Sequence, residues 1–203
     1  MRKASPKDEP LVIQVISESF RDNPSVLSVI KNDHKREKRI QALARYAFKT
    51  GLPRKGVWIS SDEQAVAICY AKNRHKENIR DLRNQLVFAI KGIGLNRVLA
   101  VMKREAQMNK RRPQHHDYMY FWFFGVSNTG KGQGGTRELK EAIFQEADSH
   151  HLPILVETSV EKNKRVYERY GFTTYSTWHN KEENLTLWFM QRPVTSGAKP
   201  VLE

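Results

Sequence analysis

The sequence predicts an α/β (α+β) fold, one sheet with helices on its faces. Three observations carry that expectation. The apolar period switches along the chain between helical spacing and strand alternation. The elements run as helices, a hairpin, helices, then strand, helix, strand, helix and two strands. The chain has 203 residues, 39% apolar and 28% charged, enough for one packed core.

The elements follow in order. Leu11, Val12, Val15, Ile16 and Phe20 keep helical spacing after Pro10. Asn23 and Pro24 begin a second, short helix. Residues 33–52 read as a helix capped by Asp33 and ended near Gly51. Residues 56–71 hold two β-branched and aromatic runs around Ser61 and Asp62, a hairpin. From Lys76 to Gln107 the helical period returns, broken near Gly92 and Gly94, with Val98, Leu99, Val101 and Met102 apolar after the break. Asp117–Val126 is dense in aromatics and fits a central strand buried on both faces. A helix follows, with Leu139, Ile143 and Ala147 on one face. Next come a short buried strand at 152–159 and a short helix that runs into Gly171. Two strands close the domain, expected over residues 1–193. Residues 194–203 are expected as a disordered tail.

Charge and composition exclude several classes. No apolar run approaches the roughly 18 residues of a membrane helix. The first ten residues carry no apolar signal-peptide core. Cys69 is the lone cysteine, so it reads as a small core residue. These features predict a cytoplasmic protein with no membrane partner. The pairs His115–His116 and His150–His151 lack the spacing of ligands on one helix face, so no metal site is expected. The net charge is +13, and residues 72–112 hold twelve Lys and Arg against Glu77, Asp81 and Glu105. That segment reads as a solvated basic helix face. A nucleic-acid-binding role for 72–112 stays as an alternative, without a zinc-finger or RNA-binding motif behind it.

The stretch from Phe124 to Gly135 carries the chemistry. Gly125, Gly130 and Lys131 match most of a nucleotide-binding P-loop, but Gly132 stands where that loop needs a Ser or Thr for Mg²⁺. A glycine-rich turn between a strand and a helix is nonetheless a general anion site. Its amides point outward, and the helix start carries partial positive charge.

Thr129–Gly134 resembles the pyrophosphate loop of the GNAT acyltransferase superfamily, with Thr129 where that family usually has Gln or Arg. The segment 154–172 resembles the family's next motif, a strand, a polar turn and then Asn163, Tyr167, Gly171 and Phe172. The resemblance covers roughly residues 55–192. It implies a GNAT-like mixed, mostly antiparallel central sheet flanked by helices. N-terminal helices and a long basic helical insertion before the central strand would complete that fold. It implies an N-acetyltransferase that passes an acetyl group from acetyl-CoA to a primary amine by direct attack in a ternary complex. It also implies site residues. The backbone of Phe124, Gly125 and Val126 would pair with pantetheine, the Val126 amide lying near the thioester oxygen. Gly130, Lys131, Gly132, Gln133, Gly134, Gly135 and Thr136 would cradle the pyrophosphate. Asn163 would bond the cofactor arm, and Tyr167 would be the general acid. Glu157, acting through water, is one candidate base; His115 and His116 are others. A non-catalytic acyl-CoA sensor on the same fold is the further alternative.

Overall fold

The computed structural model describes residues 1–72, 78–114, 117–130 and 134–195. The expectations for His115, His116, Lys131, Gly132, Gln133 and the tail beyond Thr195 lie outside those residues. The strands are β1 (Arg2–Lys3), β2 (Val57–Ile59), β3 (Ala65–Lys72), β4 (Tyr118–Val126), β5 (Ile154–Thr158), β6 (Thr173–Asn180) and β7 (Leu185–Arg192). The helices are α1 (Glu9–Ser19), α2 (Pro24–Val29), α3 (Arg36–Gly51), α4 (Ile79–Phe88), α5 (Val98–Asn109), α6 (Gly135–Ser149) and α7 (Glu161–Arg169). One seven-stranded sheet has the order β1-β2-β3-β4-β5-β7-β6. Only β4 and β5 run parallel. The sheet is therefore mixed and mostly antiparallel, flanked by helices, as the sequence predicts. β1 was not foreseen, because two residues, Arg2 and Lys3 opposite Ile59 and Trp58, carry no readable period.

Alternation along the strands feeds two cores. On one face Ile68 and Phe123 pack with Ile16 of α1 and Phe48 of α3. On the other, Val156 and Met190 pack with Leu139, Ile143 and Ala147, the α6 face read from spacing. Cys69 is in this second core.

The start of α3 differs from expectation. Lys35 is the capping residue, and Asp33 stays outside the helix. The Asp33 carboxylate accepts the Lys35 amide at 3.0 Å and two Arg39 N–H groups at 3.0 and 2.8 Å. An Asx turn closed by a guanidinium replaces the plain cap.

Asn78 caps α4, its side chain accepting the amides of Arg80 and Asp81. The break in the insertion falls at Gly94, with φ of 84°, a left-handed conformation that glycine adopts at no steric cost. The helical segments before and after it are bent by 99°, and among the described residues no single helix is long and apolar enough to cross a membrane. Phe88 anchors α4 by stacking on Tyr46 of α3 at 4.9 Å. Met108 anchors α5 against Leu185, Leu187 and Phe189.

Candidate active site

The site starts from one extra residue in β4. Phe123 lies opposite Ile68 and Phe121 opposite Cys69, which leaves Trp122 as a β-bulge. A one-residue insertion exchanges the faces of everything after it. Tyr118 and Tyr120 face the α1–α3 core before the bulge, and Phe123 faces it after. Phe124 and Val126 now turn to the α6 core. Gly125 is thereby brought under α1, where a Cβ would lie 3.1 Å from Ser19 Cβ and 3.2 Å from Ile16 Cδ1. Only glycine lets the helix end approach so closely.

The bulge also opens an edge. The β4–β5 ladder ends at Phe121 opposite Val156, while the β3–β4 ladder continues to Val126. Ser127 donates its amide to the Gln64 carbonyl at 2.8 Å. Alternation then turns the peptide groups of Phe124 and Val126 toward the open edge. There the Val126 amide donates to Ser19 Oγ at 2.6 Å, and the Ser19 hydroxyl donates to the Val126 carbonyl at 2.7 Å. The end of α1 thus covers the edge with one hydroxyl.

The glycine loop is shaped by a residue the sequence did not single out. Gln64 Oε1 accepts the hydroxyls of Ser127 at 2.5 Å and Thr129 at 2.7 Å. Ser127 Oγ in turn accepts the Gly130 amide at 3.0 Å. Thr129 therefore has a local reason, since a hydroxyl is what Gln64 can hold. A Cβ on Gly130 would fall 2.3 Å from Gln64 Cβ, so the turn requires glycine. Gly134, with φ of 86°, opens α6, and a Cβ there would meet nothing within 4 Å. The amides of Arg137 and Glu138 bond the Gly134 carbonyl. Those of Gly135 and Thr136 have no acceptor among the described residues. Amide donors at a helix start, beside a glycine with open space around it, are what an anion needs.

α7 presents two of the predicted side chains one turn apart, on one face. Asn163 is exposed and lines a groove of about 1230 Å³ together with Ser19, Asn128 and Val160. Tyr167 packs deeper. Its ring lies 6.3 Å from Phe121, where the β4–β5 ladder ends, and 5.4 Å from Phe172. Its hydroxyl has no hydrogen-bond partner among the described residues, and burial pushes its phenol up from the ordinary value.

Glu157 is held from the other face. Arg112 donates Nε to Oε1 at 2.5 Å and Nη2 to Oε2 at 2.8 Å, and the Tyr120 hydroxyl donates to Oε2 at 3.0 Å. Arg112 also bonds Glu105 at 2.5 Å and Asn109 at 2.6 Å. The Arg112 and Glu157 side chains are 7% and 9% exposed. The solvated reading of residues 72–112 therefore fails at Arg104 and Arg112, which are buried. No group of His, Cys, Asp and Glu that could hold a metal occurs among the described residues.

The structure thus gathers Val126, Asn163 and the α6 start around the open edge of β4, with Tyr167 at its root and Glu157 across the sheet. Sequence reasoning missed Ser19, Gln64, Arg112 and Tyr120, which come from distant segments and carry no motif.

No family model matches the chain. A stretch of 99 residues is 32% identical to the uncharacterised N-acetyltransferase C550.08 of Schizosaccharomyces pombe, covering 47% of this chain and 39% of that protein. The match thus spans well under half the length of that relative. A Corynebacterium glutamicum protein described as histone acetyltransferase HPA2 and related acetyltransferase superposes with a TM-score of 0.67 at 16% identity, over 99% of this chain and 97% of that one. Arylalkylamine N-acetyltransferase 2 of Aedes aegypti gives 0.64 at 16% identity, over 96% and 98%. The chain has the fold of the GNAT acetyltransferases.

Proposed function

We propose that this protein is an N-acetyltransferase that passes an acetyl group from acetyl-CoA directly to a primary amine held in the same complex. The observation that carries this reading is the open edge of β4. Beyond Trp122 the strand has lost β5 as a partner, and its Val126 peptide group bonds Ser19, which lines the same groove as Asn163.

The residues suit the cofactor. The Gly135 and Thr136 amides, with no acceptor among the described residues, and the space beside Gly134 fit a pyrophosphate. Gly130 holds the turn that aims them, and Lys131, Gly132 and Gln133 belong to the same loop by sequence. The thioester supplies an activated acyl group. Phe124 and Val126 orient its arm by backbone pairing, Gly125 between them keeping its peptide groups on β3, and Asn163 bonds the arm from α7. The Val126 amide, once the Ser19 hydroxyl rotates away, polarises the acyl oxygen as a fixed dipole. Tyr167 gives the departing thiolate its proton. A phenol of ordinary pKa about 10 serves a thiol of about 8.5, and burial keeps it protonated. Both Glu157 oxygens accept hydrogen bonds from Arg112 or Tyr120, so a proton from the amine reaches Glu157 only through water. An acidic acceptor, or an amine carried on a polyanion, suits a chain of charge +13.

An acetyl-CoA-dependent thiol-release assay across amine classes tests the reading. Release with at least one amine is the expected result. Tight CoA binding with no amine acetylated would leave an acyl-CoA sensor instead. Gln64→Ala removes two hydroxyl anchors from the loop and raises the acetyl-CoA Kd about fivefold, at about 1 kcal/mol for the net loss. Titration calorimetry reads that shift, and an unchanged Kd removes Gln64 from the loop's support.

A further inference from the structure

Eight of the eleven large apolar side chains described as exposed fall between Ile79 and Met102. They are not scattered. Ile79, Leu82, Leu86 and Ile90 recur at spacings that share one face of a helix, at 83%, 56%, 56% and 58% exposure. Leu99 and Met102 repeat the pattern on α5, at 73% and 62%. Neither helix needs these residues to hold its place, because Phe88 and Ile93 tie the first to the core and Met108 ties the second. Exposed apolar stripes of this extent mark a covered surface.

Charge decides what covers it. Arg80, Arg83, Lys91 and Lys103 are exposed beside the stripes and form no ion pair among the described residues. The described acid before Glu105 on this insertion is Asp81, which is buried. A second copy would bring the same cations and be repelled. A nucleic acid would answer the cations and leave the leucines in water. An anionic bilayer answers both, taking apolar side chains at the acyl boundary and cations among the headgroups.

We propose that α4 and α5 form an interfacial docking element that seats this protein on an anionic lipid surface. The 99° bend keeps the pair from spanning and suits two helices that lie flat. The expectation of no membrane partner rested on the absence of a spanning helix, and surface docking needs none. Arg104 and Arg112 of the same insertion reach Ser25 and Glu157, so docking would bring the bilayer near the Glu157 side of the site.

Cosedimentation of the full chain with vesicles tests this. The chain is expected to sediment with mixed phosphatidylserine–phosphatidylcholine vesicles, to stay free with phosphatidylcholine alone, and to be released by salt. Leu86→Glu with Leu99→Glu should abolish binding, and circular dichroism should show the fold intact, since both positions are exposed. As a second variant, Arg80→Glu with Lys91→Glu should weaken it about fivefold or more for each cation replaced. Absence from both vesicle types, or binding unchanged in the leucine variant, overturns the proposal. So does a dimer that the leucine substitutions convert to a monomer while no vesicle binding is seen.

Discussion

Tyr167→Phe is expected to lower kcat by about 10²-fold or more while the acetyl-CoA Kd stays within about twofold of the parent. The substitution removes one oxygen and keeps the ring between Phe121 and Phe172, at 6.3 and 5.4 Å. The hydroxyl gives up no hydrogen bond among the described residues, so folding is unaffected. What disappears is the proton for the departing thiolate. Burial pushes the phenol above its ordinary value, so it stays protonated through neutral pH. Loss of this proton donor should therefore not limit the parent enzyme until the pH passes well above about 10. Thiol release followed against pH reads both effects. A Phe variant with unchanged kcat would take Tyr167 out of the chemistry and leave it a packing residue.

Arg112→Met is expected to destabilise the fold by about 3–5 kcal/mol, the range for breaking one side of a buried ion pair. Glu157 would keep the Tyr120 hydroxyl at 3.0 Å and lose both charged bonds. With a side chain 9% exposed, it has little water to replace them. Removing the second charge as well, in Arg112→Met with Glu157→Gln, should restore much of the loss, because the uncompensated carboxylate is what costs most. Urea unfolding of the two variants measures the coupling. A single variant within about 1 kcal/mol of the parent would show that the pair contributes little. Glu157 would then be freer for proton transfer than its bonds to Arg112 and Tyr120 suggest.

Much of the fold was legible because its signals are local. Leu139, Ile143 and Ala147 stand at helical spacing, and all three are fully buried. The glycine loop and the run from Asn163 to Phe172 are each contiguous, and together they pointed to the fold. The bulge was not legible. In the aromatic run from Tyr118 to Phe124 no polar residue marks a face, so nothing in the order of residues shows that Trp122 is the extra one. The cap of α3 was misread for a related reason: Asp33 has an acceptor's chemistry, and Arg39, six residues on, claims it.

The sequence by itself determined the alternation of helices and strands, and its resemblance to the GNAT motifs singled out the glycine loop, Asn163 and Tyr167 as candidates. These follow from periodicity and from residues that are neighbours in the chain. Only the tertiary structure decided which peptide groups face the open edge and what shapes the loop beside it. Ser19 reaches Val126 across 107 residues, Gln64 reaches Ser127 across 63, and Arg112 reaches Glu157 across 45. Such contacts depend on how β4 bends and where α1 and α5 come to rest. That is settled by packing of the whole core and leaves no pattern along the chain.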